Sequence, residues 1–114
     1  MEESLRDVID GARELIREKR LNECEVLLSE AMFRCPHAAT PHNLMGLLLE
    51  EKARHTDAMK HFRAACALNP TYRPAAWNLE AFGAIYQARK AAYCEEDCED
   101  HFAKAKDCAG NGAK

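Results

Sequence analysis

Long hydrophobic runs are missing from this chain. Its longest strongly apolar stretch, residues 44–49, falls far short of the roughly 20 residues that cross a bilayer, so no membrane partner is expected. A basic stripe is missing too. Lys and Arg number 16 against 19 Asp and Glu, the formal net charge is −3, and both signs are interspersed, which argues against nucleic acid as a partner. Catalytic signatures are absent: no P-loop, no GxGxxG, no HExxH and no GxSxG, so neither an enzyme nor a cofactor is expected. Residues 1–7 are acidic and lack the apolar core of a secretory signal, which makes a cytoplasmic location the expectation. Glycine and proline are sparse, at 5 and 4, and nothing alternates as a strand does.

Cysteine is not scarce. Six thiols (Cys24, Cys35, Cys66, Cys94, Cys98, Cys108) would suit a secreted disulfide scaffold, but the chain has no such signal and is 47% apolar, enough to build a core without bridges. They are read as reduced, structural side chains. Cys94, Cys98 and His101 share a helical stripe with a spacing that would suit zinc, with Cys108 beyond. Paired CxxC knuckles are absent, and His101 repeats His61, which has no thiols at the same offsets, so no metal is assigned. Cys35-Pro36-His37 puts a thiol near an imidazole in a turn, with no residue to orient them.

What the chain does contain is periodicity. Leu5, Val8, Ile9, Ala12, Leu15 and Ile16 recur at helical spacing behind Ser4, with Asp7 three residues on as a capping signal. A break near residues 19–21 leads to a helix over about 21–35, which Pro36 ends. Thr40 is placed as the cap of a third helix with Pro41 in its first turn, and Thr56 as the cap of a fourth that stops at Asn69-Pro70. Residues 71–74 read as a connector, followed by helical character from Ala75 onward.

Gly46, Ala58, Phe62, Ala65 and Pro70 have counterparts 34 residues earlier in Ala12, Cys24, Leu28, Ala31 and Pro36. A period of 34 marks a helix–turn–helix unit that buries its apolar face only by stacking on copies of itself. After six further residues the frame resumes, with Cys98, Phe102 and Ala105 matching Ala58, Phe62 and Ala65. The expectation is an all-α stack of about six helices in one domain, 1–109, with units at 5–38, 39–72 and 73–109 and a flexible tail at 110–114. The third unit is read as an elongated hairpin bending near residues 92–95, with a single helix over 75–107 as the alternative.

These residues resemble the tetratricopeptide repeat family, most closely over 39–72. The resemblance implies a right-handed superhelical stack of antiparallel helix pairs. It also implies a protein-interaction role, with a peptide or a partner's helix held in a concave groove. Carried over, the groove positions are Ile9, Arg13 and Arg17, then Asn43, Leu47 and Glu50, then Trp77, Asn78 and Ala81. Leu47 and Trp77 are expected as apolar anchors, with Arg13, Asn43, Glu50 and Asn78 as polar selectors. The competing reading covers Trp77 with the final helix. One subfamily clamps a terminal carboxylate with Lys and Asn; Ile9 and Arg13 stand at those positions here, so that ligand is not expected. Arg13, Arg17 and Arg73 favour an acidic partner. Self-association of this chain is the alternative function, and a metal- or redox-responsive module built on the C-terminal cysteines is a third.

Overall fold

The computed structural model describes residues 4–83 and 90–98. Those residues form five helices, α1 (Leu5–Arg17), α2 (Leu21–Arg34), α3 (Ala39–Glu51), α4 (His55–Leu68) and α5 (Arg73–Gly83), with a sixth helical segment over 95–98. No strand occurs among them, and none of these helices is long and apolar enough to cross a membrane. Each of the five packs on the next in sequence, and α1 packs on α3 as α3 does on α5.

The 34-residue period is visible in the backbone itself. Helices α1, α3 and α5 begin at residues 5, 39 and 73, each 34 after the last, and α2 and α4 begin at 21 and 55. The turn after α1 reappears after α3 in the same hydrogen bonds: Arg20 N to Leu15 O (2.8 Å) and Lys19 N to Ile16 O (3.0 Å), then Arg54 N to Leu49 O (2.9 Å) and Ala53 N to Glu50 O (3.0 Å). This is the Schellman closure, which puts Lys19 and Ala53 in the left-handed region at φ of 62° and 61°. Arg20 pairs with Glu23 at the start of α2 as Arg54 does with Asp57 at the start of α4.

These closures correct two of the expected caps. Because the Schellman turn is so short, Arg54 is the N-cap of α4 and Thr56 lies inside the first turn. A bond from Ala38 N to Cys35 O likewise makes Ala38 the N-cap of α3, so Thr40 and Pro41 fall in its first turn. Helix α5 starts at Arg73, two residues before the expected point, with Pro74 in its first turn. Ser4 does cap α1, its hydroxyl accepting from Asp7 N at 3.2 Å.

Helices α3 and α4 meet through Gly46 and Phe62. A Cβ at Gly46 would overlap the Phe62 ring, so the glycine is what lets the ring sit wholly buried between the helices. Leu28 fills the equivalent place in the first hairpin, and Cys24, Ala58 and Cys98 all occupy buried sites. Burial pushes the Cys24 and Cys98 thiols up to about 11, so both are held protonated at neutral pH. Leu68, expected on the buried face of α4, is partly exposed at its end.

Beyond α5 the pattern changes. Residues 90–94 are not helical, which overturns a single helix over 75–107; most of the elongated hairpin expected with a bend near 92–95 falls outside the described residues. His101, Phe102, Ala105, Cys108 and the tail at 110–114 lie outside the described residues.

Candidate functional site

The sites expected to line a groove lie on α1, α3 and α5, the three helices that pack side by side. They are largely covered. Ile9, Asn43, Leu47, Asn78 and Ala81 are all buried, and Leu47, expected as an exposed anchor, sits in the core beside Leu44 and Leu48. What lies over part of this face is the chain itself, residues 90–97.

Two asparagines hold that segment. Asn43 on α3 and Asn78 on α5 are both 0% exposed, the only buried polar or charged side chains among the described residues. Asn78 Oδ1 accepts from Ala92 N at 2.8 Å, and Asn78 Nδ2 donates to Ala92 O at 2.7 Å. Asn43 Nδ2 donates to the same carbonyl at 3.1 Å, and Asn78 Nδ2 reaches Asn43 Oδ1 at 2.8 Å. Both backbone polar groups of one residue are thus satisfied by side-chain amides. Burying these amides is expensive unless each atom has a partner, so the four bonds form one coupled unit.

On either side of Ala92 the contacts continue. The Trp77 indole N–H donates to Lys90 O at 2.7 Å. Trp77 is therefore half-buried on this face beside the non-helical residues 90–94. Toward α1, the Arg13 guanidinium lies 4.7 Å from the Tyr93 ring centroid, donates to Cys94 Sγ at 3.5 Å and pairs with Asp97 at 3.5 Å. The Tyr93 hydroxyl is raised above its ordinary range, first by burial, with Glu51 adding and Arg13 opposing. Asp97 also accepts from Tyr93 N at 2.8 Å, closing the start of the helical segment. Arg6 pairs with Glu96 at 3.6 Å and Arg73 with Glu95 at 2.7 Å.

Of the nine expected positions, Arg13, Asn43, Trp77 and Asn78 converge on this segment. Ile9 and Leu47 contribute to the core cluster that also holds Cys94, with Ala91 and Tyr93 packed against it. Arg17 pairs with Glu14 along its own helix, and Glu50 with His55 at 2.6 Å. Sequence reasoning missed the covering segment and Arg6. Arg6 lies seven residues before Arg13 on α1, and that spacing was the available signal.

Two further features stand apart. His42 on α3 and His61 on α4 meet edge to edge, Nδ1 to Nδ1 at 3.1 Å, with burial lowering both imidazoles below their ordinary pKa. On the outward face of α2, Phe33 is 87% exposed and Val26 59%. Among the described residues, no three His, Cys, Asp or Glu side chains converge as a set of metal ligands. Comparison with known proteins returns no matching family model, no matching curated protein and no matching solved structure.

Proposed function

We propose that this chain is a protein-interaction module, a short right-handed stack of tetratricopeptide-like hairpins that binds a peptide on the face formed by α1, α3 and α5. In this reading it binds without catalysis, in the cytoplasm. The observation that carries it is the pair of wholly buried amides, Asn43 and Asn78, satisfying both polar groups of Ala92. A helical ligand has spent those groups on its own i to i−4 bonds, whereas an extended one leaves them open. The face is therefore suited to extended peptide rather than to a partner's helix.

The test is a random peptide display selection against the full chain, followed by titration of the enriched peptides. Extended binders are expected, and once residues 90–97 are expelled by Ala92→Arg, adding Asn43→Ala should weaken them at least tenfold while the helical circular dichroism is kept. Binding untouched by Asn43→Ala and Asn78→Ala would put the site elsewhere.

Self-association is a second reading, favoured by the exposure of Phe33 and Val26 on one stripe of α2. Sedimentation of the chain beside Phe33→Glu decides it. A dimer lost in the variant supports pairing through α2, and a monomer in both removes it.

A further inference from the structure

The segment over the binding face has a recognisable chemistry. Lys90 and Ala92 present only backbone to Trp77, Asn43 and Asn78. Ala92 is wholly buried, so only a small side chain fits at that point. The next residue is aromatic and lies under a guanidinium. Three acids follow, and each meets a different arginine: Glu95 with Arg73, Glu96 with Arg6 and Asp97 with Arg13. The three arginines stand on two helices, α1 and α5, so they form a rim rather than a run along one face.

We propose that residues 90–97 are a built-in occupant of this face, and that its external partner is an acidic peptide of the same kind: a small residue, an aromatic, then a cluster of acids in a first helical turn. The proposal rests on the peptide-binding reading above. The exposure of its three ion pairs supports exchange. The segment is held by hydrogen bonds to its backbone, by the buried Ala92 and Cys94 with Ala91 and Tyr93 packed against the core, and by three ion pairs whose side chains are 27–70% exposed. Water and counterions compete for the exposed ion pairs far better than for the buried part of the attachment.

A tethered occupant also sets a floor on affinity. A short tether holds its segment at an effective concentration on the order of a millimolar. A free peptide of equal intrinsic affinity then shows an apparent Kd near that value, however tightly the vacated face would hold it. Expelling the resident should reveal the intrinsic affinity.

The experiment uses a fluorescein-labelled, capped peptide with the sequence of residues 90–98, Cys94 and Cys98 replaced by serine. It is titrated by anisotropy into the full chain and into its Ala92→Arg variant, whose large charged side chain has no room at a wholly buried position. Ala92→Arg is expected to bind at least tenfold more tightly than the unaltered chain. A peptide with lysine for Glu95, Glu96 and Asp97 is expected to lose that binding, and salt to weaken it. Equal binding of the acidic and reversed peptides, or no gain in Ala92→Arg, overturns the proposal.

Should Ala92→Arg fail to fold, the unaltered chain still decides. Millimolar acidic peptide should speed alkylation of Cys94, which is buried while the segment is seated, and no change in that rate overturns the proposal. If display peptides bind through Asn43 with no preference for acids, this proposal fails and the peptide-binding reading survives. If no peptide of any sequence binds Ala92→Arg, both fail. A dimer that exchanges the segment between copies, seen as Cys94 protection that depends on protein concentration, would make the occupant a second copy and overturn the external partner.

Discussion

Residues 5–68 and residues 73–98 begin as the same structure and end as different ones. The first two hairpins share one layout, with helices starting 34 residues apart, the same Schellman turn and the same buried apolar site filled by Leu28 and then Phe62. The third begins in register at Arg73 but leaves it, and its chain returns over α1, α3 and α5 as residues 90–97. The periodic part is held by interdigitated apolar side chains; the last part adds amides and ion pairs to its own buried Ala92 and Cys94. Apolar packing is strong, short-ranged and indifferent to salt, while exposed ion pairs are weak and screened. The attachment of the last part therefore has a salt-sensitive share.

The largest test of that contrast is Phe62→Ala. Removing a wholly buried ring between α3 and α4 should cost about 3–5 kcal/mol, and Leu28→Ala in the equivalent place about 2–5 kcal/mol. Both should appear in urea melts as loss of the whole helical signal at a lower midpoint. A local change confined to one hairpin would mean that the two units do not fold together.

Asn78→Ala probes the other side and should cost less, about 1–3 kcal/mol, because it strips Ala92 N–H and Asn43 of partners. Its signature should differ in kind. Hydrogen exchange at residues 90–94 should accelerate, while amides in α3 and α4 keep their protection. Uniform acceleration would make the segment part of one cooperative core, and the comparison between the two regions would collapse.

How much of this was legible follows the same division. Helix boundaries over 5–68 could be read from the apolar spacing and from Pro36 and Pro70, because local pattern and tertiary packing agree there. Thr40 and Thr56 misled because the preceding turn, not the best capping side chain, decided where each helix began. Residues 90–94 carry no Gly or Pro, and their alanines favour helix. Their non-helical form depends on Asn43 and Asn78, 49 and 14 residues away from Ala92, and contacts so distant override local propensity. Asn43 itself was legible as a groove residue, but nothing in its spacing said that the ligand was the chain's own.

A smaller effect tests whether the two turns of the periodic part are interchangeable. Ala53 sits at φ 61°, where a Cβ is strained, so Ala53→Gly should stabilise by about 0.5–1 kcal/mol once glycine's extra chain entropy is subtracted. Lys19→Gly relieves the same strain at φ 62° but gives up the pair with Glu51, an exposed bond of at most about 1 kcal/mol, and should be nearly neutral. Thermal melts of the two variants read the difference. Equal gains would assign the Lys19–Glu51 pair no weight, and a loss in Ala53→Gly would mean that the turn carries no strain.

The gentlest probe is pH, because the two regions should respond in different windows. His42 and His61 are lowered in the folded chain, chiefly by burial, so the unfolded chain binds more protons. Their contribution is complete above the ordinary histidine value near 6.5 and fades as pH falls below it. The Nδ1 to Nδ1 bond adds a reason, since it needs one proton between the rings and a doubly charged pair cannot make it. Glu96 is also lowered, by the Cys94 thiol, its own backbone amide and Arg6, so its contribution survives to the carboxylate range and is lost only as pH falls through it. Hydrogen exchange followed from pH 8 to 4, corrected for intrinsic rates, should therefore loosen the α3–α4 contact first and residues 90–97 later. His61→Gln should erase the first step alone. If both regions loosen together near pH 6, the histidine pair governs the whole molecule and the segment has no separate attachment.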